Sequence, residues 1–209
     1  MVVALELNKH SKYTMLTRYL HAGIALGAVY QLATSLILLP PDEKGSALGH
    51  SMMEAHELGG LVVAAIIIAH FIWSLLLRKE CSSSIWVLSS LGQWRSAFFL
   101  IPNFLYAFIG KLKLPEPGNS LAKIVEMLGL LVMLFMAVTG IAIWVNLPEN
   151  NLADIPKEVE FLMYIHSLAS KFLWAYIIGH TCMVVAHIRA GDAVIKRISP
   201  FHNEVNTDK

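Results

Sequence analysis

The sequence contains few charged residues and almost no cysteine. Only 15% of its 209 residues are Asp, Glu, Lys or Arg, whereas a soluble domain carries about 25%. This low charge, combined with a high apolar fraction, excludes a disordered chain and argues against a cytosolic enzyme. Two cysteines, Cys81 and Cys182, are too few for a disulfide scaffold. The formal net charge is only +1, and no basic stripe carries interleaved aromatic residues, so nucleic acid is not an expected partner.

Long apolar stretches are what the sequence has in abundance. Hydrophobic residues make up 56% of the chain, and four stretches without charged side chains approach the roughly 20 residues that a membrane helix needs. These stretches are residues 19–41, 58–77, 127–147 and 172–188, the last extended backwards through 161–170 if Lys171 is tolerated. Lipid cannot satisfy backbone hydrogen bonds, so each stretch should be an α-helix. We expect these helices to begin near Tyr13, Ser51, Leu121 and Glu160.

These features predict one all-α domain, an integral membrane four-helix bundle formed by residues 1–200, with a polar C-terminal tail at 201–209. A further apolar stretch, residues 96–110, is too short to span a bilayer comfortably and contains Pro102. Trp86 and Trp94 precede it, and tryptophan favours the headgroup region of a membrane. We therefore expect residues 85–110 to form an amphipathic interfacial segment of one or two helices between the second and third spans. A fifth spanning helix is the alternative.

Charge differs between the connections. The N-terminal segment, the connection between the second and third helices, and the C-terminal end are rich in Lys and Arg. The other two connections are acidic and contain only Lys44 and Lys157 as basic residues. Lys and Arg concentrate on the cytoplasmic side of membrane proteins. We therefore expect a multi-pass protein of the bacterial inner (plasma) membrane with both termini in the cytoplasm.

Histidine is frequent, and five or six of the nine histidines lie within predicted membrane helices. The nine are His10, His21, His50, His56, His70, His166, His180, His187 and His202. An ionisable side chain inside a membrane is costly and points to function. A single such histidine could be a hydrogen-bonded packing residue, but the spacing of these histidines argues for more.

Four of the histidines form two pairs with the same spacing. His56 and His70 are fourteen residues apart, and so are His166 and His180. Fourteen residues make just under four helical turns, about 21 Å along the axis, so each pair shares a helix face. Two such helices facing one another can clamp two planar groups, and haem is the obvious one because neutral imidazole binds its iron well. The chain has no CxxCH motif, which predicts non-covalent haem, as in b-type cytochromes.

Depth in the membrane indicates which histidines share a haem. His56 and His166 both lie near the outer start of their helices, so they can bind an outer haem together. His180 lies about two turns before the inner end of its helix. His70 and His21 both share that depth, so spacing alone does not choose between them, and symmetry alone favours His70.

Short motifs accompany the histidines along nearly the whole chain. They are RYLH at 18–21, HELGG at 56–60, LPEPGN at 114–119, Thr139-Gly140, and His166, His180 and His187 followed by Gly191-Asp192 and Lys196-Arg197. In their order and spacing they resemble the four-helix di-haem cytochrome b superfamily. That superfamily includes prokaryotic cytochrome b561 and the cytochrome b subunits of nickel-iron hydrogenases and formate dehydrogenases.

The resemblance implies two haem b groups, each held by two histidines, with ligands from the first, second and fourth helices. Carried over, His56 and His166 hold the outer haem, while His21 and His180 hold the inner one, with His70 as the alternative inner ligand. The weaker candidates are Arg18 and His187. Each could contact a haem propionate or a quinone, but Arg18 could equally be a snorkelling interfacial residue and His187 an interfacial anchor.

The glycines of these motifs have a predicted role in packing. Gly59, Gly60, Gly129, Gly140 and Gly179 can let flat rings or neighbouring helices approach the backbone closely. In a protein without haem, the same glycines would let the helices pack closely against each other.

The resulting hypothesis is a b-type di-haem cytochrome that moves electrons across the membrane between a redox partner and the quinone pool. We expect it to be the membrane subunit of a respiratory redox complex, with lipid, quinone and a periplasmic or membrane redox subunit as partners and an oligomer as a further option. Whether the chain is itself an enzyme stays open. One alternative is a stand-alone cytochrome b561-type quinone oxidoreductase, for example one linked to superoxide. A second is a haem-free transporter or structural subunit.

Overall fold

Helices account for all the regular secondary structure of the described residues. The computed structural model describes residues 13–37, 47–77, 85–108, 113–116, 118–147 and 155–201. The helices are α1 (Met15–Ser35), α2 (Ala47–Leu76), a 3₁₀ helix (Ile85–Ser89), α3 (Leu91–Phe108), α4 (Ser120–Asn146), α5 (Lys157–Arg189) and α6 (Val194–Ile198). The prediction of an all-α chain is confirmed for this part of the sequence. The four long helices α1, α2, α4 and α5 each begin within four residues of the predicted start.

Among the described residues, three helices are long and apolar enough to cross a membrane. They are α2, α4 and α5, with 30, 27 and 33 residues. At 1.5 Å per residue these lengths are about 45, 40 and 50 Å, so each exceeds a hydrocarbon core of about 30 Å. Each contains one of the predicted apolar stretches almost entirely.

The fourth predicted span corresponds to α1. This helix has 21 residues, about 32 Å of length, but it is not among the three that length and composition select within the described residues. It contains Arg18, His21 and Gln31, which lower its average hydropathy. Residues 38–41 of the predicted stretch lie outside the described residues. A fourth crossing by α1 therefore stays a prediction.

The predicted interfacial segment forms the 3₁₀ helix and α3. Trp94 Nε1 donates to the Leu88 carbonyl over 2.9 Å, which ties the two helices together. Val87 and Ala97 are buried together with Ile124 of α4, whereas Phe98 and Phe99 are exposed. One side of α3 is therefore buried and the other presents aromatic side chains, as an interfacial helix requires. Its depth in a membrane stays a prediction.

The chain divides into two compact units. Unit 1 consists of Met1–Ala22, Trp73–Met127 and Cys182–Lys209. In it, Ser74 is completely buried and its Oγ accepts the Ile85 backbone N–H over 2.8 Å, which fixes the start of the 3₁₀ helix. Trp73 Nε1 donates to Thr17 Oγ1 over 3.1 Å, which joins α2 to α1. Residues 202–209 of the predicted polar tail lie outside the described residues.

Unit 2 consists of Gly23–Ile72 and Leu128–Thr181. Its core contains Ile24, Val63, Ala64, Ile67, Leu130 and Ala137, from α1, α2 and α4. A Cβ atom on Gly27 would lie only 2.6 Å from Val63 Cγ2, so α1 and α2 pack too closely here for any larger residue. Close approach at small residues is typical of helices that associate in lipid, where dispersion contacts replace the hydrophobic effect. The four candidate residues His56, His70, His166 and His180 all belong to this unit.

Candidate functional site

His56 of α2 is oriented by Thr34 of α1. The Thr34 hydroxyl oxygen lies 3.0 Å from His56 Nδ1. It also lies 3.1 Å from the Tyr30 carbonyl and 3.0 Å from the Gln31 carbonyl, to which it can only donate. A hydroxyl has one hydrogen, so an oxygen that donates to these carbonyls accepts the Nδ1–H of the imidazole. His56 is then in the tautomer whose Nε2 lone pair is available to a metal.

His166 of α5 has the same environment, provided by Thr139 of α4. The Thr139 hydroxyl oxygen lies 2.8 Å from His166 Nδ1. It donates to the carbonyl of Phe135 or Met136, at 2.8 and 3.2 Å. The same reasoning assigns the hydrogen of His166 to Nδ1 and leaves Nε2 with its lone pair. Both threonines are buried, with 5% exposure for Thr34 and 3% for Thr139.

His56 and His166 both belong to unit 2, on α2 and α5. Two neutral imidazoles, each with Nδ1–H bonded to the protein and Nε2 available, are a suitable ligand set for haem iron.

Gly140 leaves space beside the His166 ring. A Cβ atom at this position would lie 3.3 Å from His166 Cε1 and 3.9 Å from Nδ1. A larger residue would therefore press on the imidazole that the neighbouring Thr139 orients. With the ligand set above, this clearance fits a haem group held by His56 and His166. At Gly140 the group closest to the backbone is the His166 imidazole, and the close approach of a haem ring to this glycine stays a prediction.

Gly140→Ala should weaken haem binding at this pair while leaving the helix intact. The added methyl group meets His166 Cε1 at 3.3 Å, so the ring must shift by a few tenths of an ångström. We expect about a tenfold loss of affinity for one of the haems, at the lower end of the effect of losing an outer-shell partner. Haem titration of the apoprotein measures it.

Gly23→Ala is the matched control for this prediction. A Cβ atom on Gly23 would meet Ile66 Cγ2, also at 3.3 Å, but Ile66 is an aliphatic side chain and not a candidate ligand. Haem binding at the His56–His166 pair should be unchanged in this variant. Equal losses in the two variants would contradict a specific role for the clearance at Gly140.

His180 of α5 stacks against Tyr176, one turn earlier in the same helix. The two ring centroids are 5.7 Å apart and the planes differ by 23°. The Tyr176 ring occupies the space where a side chain at Gly129 of α4 would stand. Gly129 thus leaves room for the Tyr176 ring, which stacks against the His180 imidazole.

The histidines predicted to bind the inner haem belong to different units. His70 is buried, and its Nδ1 has no hydrogen-bond partner among the described residues. A buried polar atom of this kind costs free energy unless a bound group satisfies it. His70 and His180 belong to unit 2, whereas the half-buried His21 belongs to unit 1. The choice between His21 and His70 stays a prediction.

Arg18 is buried in unit 1, with 4% of its surface exposed. Its Nη1 donates to the Ser199 carbonyl over 3.3 Å, at the C-terminal end of α6. The guanidinium is therefore held against the C-terminal segment of unit 1 and not extended into solvent. Its contact with a propionate or quinone stays a prediction.

His187 is paired with Asp192 where α5 ends. His187 Nδ1 lies 2.8 Å from Asp192 Oδ2, and the imidazole is buried. Asp192 N–H donates to the His187 carbonyl, and Gly191 N–H donates to the Ile188 carbonyl. With Gly191 at φ 90°, these bonds form a Schellman turn, which glycine at this position favours. The turn itself brings the carboxylate to the imidazole and leaves Nε2 without a partner among the described residues.

Sequence reasoning missed Thr34, Tyr176 and Asp192 as partners of the candidate histidines. Thr139 and Asp192 were visible as parts of motifs but without a role. Asp192 could have been assigned, because a glycine just after a helix signals a Schellman turn that joins the residue after it to the last helical turn. Thr34 contacts His56 across two helices and gave no signal in the sequence. Tyr176 precedes His180 by four residues on α5, a spacing that makes two helical side chains neighbours.

Comparison with known proteins gives one match. The family model described as prokaryotic cytochrome b561 matches residues 12–200. No curated protein and no solved structure matches the chain.

Proposed function

The chain belongs to the prokaryotic cytochrome b561 family, and we propose that it is a di-haem cytochrome which carries electrons across a membrane between a redox partner and the quinone pool. Membership of the family makes it a membrane b-type cytochrome of electron transport, with haem b as its cofactor. The haem-free alternative thereby loses its support. The number of haems, their ligands, the quinone and the partner subunit are the proposed parts.

The observation that carries the proposal is the matched environment of His56 and His166. Both imidazoles are bonded through Nδ1 to a buried threonine hydroxyl, which leaves Nε2 of each ring for a ligand bond. When bound, haem b would supply reversible one-electron transfer, and two histidine ligands would leave no coordination position for oxygen or substrate. We assign the outer haem to this pair. For the inner haem we propose His180 with His21, on the family pattern of ligands, with His70 as the alternative.

His187 is suited to handle protons at a quinone. Reduction of a quinone to a quinol takes up two protons together with two electrons, so the site needs a proton donor. Asp192 holds His187 through Nδ1 and leaves Nε2 for a ligand. His187 follows His180 by about two helical turns on α5. We propose that Nε2 of His187 exchanges a proton with the quinone oxygen and that Arg18 contributes positive charge to the bound headgroup or to a propionate.

The charges of α5 and α6 support the proposed orientation. Glu158 and Glu160 lie in the first turn of α5, and Arg189 lies in its last turn. Lys196 and Arg197 follow in α6. This distribution favours the C-terminal end of α5 on the cytoplasmic side of an inner membrane. The opposite side is then the place for a periplasmic or membrane redox subunit.

Quinol oxidation by purified protein tests the proposal. Protein in detergent should contain two b-type haems per chain, and the soluble quinol duroquinol should reduce them. His187→Gln should slow this reduction about 100-fold, the loss expected when a positioned acid–base group is removed. The measurement is stopped-flow absorbance of the haem α-band.

Reduction by dithionite is the control, because dithionite donates electrons without a protonated quinone oxygen. Its rate should be the same in His187→Gln and in the wild type, as should the haem content. A protein that holds haem but is not reduced by any quinol would contradict the quinone assignment. A protein made with ample haem and recovered without it would contradict the cytochrome assignment altogether.

A further inference from the structure

The two histidines assigned to the outer haem are held by threonines in the same way, although the four residues come from four different helices. Thr34 is on α1, His56 on α2, Thr139 on α4 and His166 on α5. Each threonine oxygen lies within 3.2 Å of two carbonyl oxygens of its own helix and within 3.0 Å of an imidazole Nδ1. We propose that Thr34 and Thr139 are positioning residues that act together on one iron and lower its reduction potential. The inference rests on the proposed function, since it requires a haem at His56 and His166.

The threonine oxygens are fixed acceptors. A threonine side chain in a helix has few rotamers, and bonding to the carbonyls three and four residues earlier selects among them. For Thr34 these carbonyls belong to Tyr30 and Gln31, and for Thr139 to Phe135 and Met136. Both threonines are buried, so no solvent competes for the imidazole N–H. In such an apolar setting the hydrogen bond is stronger than in water.

Donation from Nδ1–H raises the electron density at Nε2. A more basic Nε2 binds ferric iron more strongly than ferrous iron, and the potential falls. Valine has nearly the shape of threonine but no acceptor, so Thr→Val at either site should reverse this effect. We expect ferric affinity to fall about tenfold relative to ferrous affinity. For a one-electron couple this corresponds to a rise of about 59 mV in potential.

Potentiometric titration of the holoprotein tests the inference. The wild type should titrate in two waves, one for each haem. Thr34→Val and Thr139→Val should both move the same wave to higher potential and leave the other wave in place. In the double variant the two shifts should add, because each threonine acts on its own ligand. Thr34→Ser and Thr139→Ser, which keep the hydroxyl, should restore the wild-type potential.

Two serine hydroxyls in the same unit serve as controls. Ser35 follows Thr34 directly, and within the described part of the chain its hydroxyl bonds to the Leu32 carbonyl alone, at 2.8 Å. Ser170 lies one turn after His166, and among the described residues its hydroxyl bonds to the Ser167 carbonyl alone, at 2.7 Å. Ser35→Ala and Ser170→Ala remove a hydroxyl near each histidine without touching an imidazole. Both should leave both waves unchanged.

Several results would overturn the inference while leaving the proposed function intact. One is two haems at unchanged potentials in both valine variants. Another is a shift of different waves by Thr34→Val and Thr139→Val, which would place His56 and His166 on different irons. If a valine variant does not accumulate, the alanine variant, which also lacks the hydroxyl, is titrated in its place and must meet the same expectation. The proposed function itself fails on a separate result, the absence of haem from the wild type.

Discussion

We expect His166→Ala to remove one haem from the chain and to leave the other. His166 Nδ1 is bonded to the buried Thr139 hydroxyl, so the ring is already placed as a ligand and no other described imidazole shares that hydroxyl. Alanine provides no nitrogen ligand, so we expect a haem at this pair to lose one of its two protein ligands and to dissociate. The haem content measured by the pyridine haemochrome assay should fall from two per chain to one. The remaining haem should keep its potential.

His56→Ala should produce the same loss, because both histidines are assigned to one iron. His50→Ala is the control, as His50 lies on the same helix α2 and has no proposed ligand role. Its haem content should equal that of the wild type. Retention of two haems in His166→Ala would contradict the outer ligand pair, and different remaining haems in His56→Ala and His166→Ala would show that the pair is split.

The second large effect concerns the inner haem. His21→Ala should remove it, whereas His70→Ala should retain it, since the family pattern draws this ligand from the first helix. His70 is buried with an unpartnered Nδ1 among the described residues, and alanine relieves that cost of desolvation. The replacement of His70 by alanine should therefore leave the haem content unchanged. Haem content and the reduced-minus-oxidised spectrum of both variants measure the difference.

The reverse pattern would reassign the inner ligands to His70 and His180. His70 and His180 belong to the same unit. His56 and His166 belong to it too, so α2 and α5 would then provide the ligands of both haems. Loss of the inner haem in both variants would indicate that one of the residues binds the iron and the other holds that ligand or a propionate.

The helices could be predicted from the sequence because lipid imposes simple requirements. A run of apolar residues without charge, such as the one ending at Leu147, has no stable alternative to helix in a bilayer. The fourteen-residue spacing of the histidines needs only the helical repeat, so their shared faces followed directly. The start of α2 at Ala47 lies four residues before the predicted Ser51, because helices continue beyond the hydrocarbon core and composition sets only a lower limit to their length.

The threonine partners of His56 and His166 could not be predicted because they depend on how helices are rotated and how far they are shifted along each other. Thr34 meets His56 only because α1 and α2 pack closely. The Tyr30 ring and the Gln31 amide lie against Gly59 and Gly60, and Tyr30 Oη donates to the Ala55 carbonyl over 2.9 Å. HELGG at 56–60 was recognised as a motif, but the sequence does not indicate that its glycines set the position of α1 along α2.

The bonds between threonine and histidine also bear on how the protein matures. They are made entirely by protein atoms, so they do not depend on bound haem, and each holds its imidazole through Nδ1. Ordering a free side chain on binding costs about 0.5–1.5 kcal/mol, and for these two rings folding would meet that cost. Haem would then bind the outer pair with less loss of side-chain freedom than a site whose ligands it must order itself.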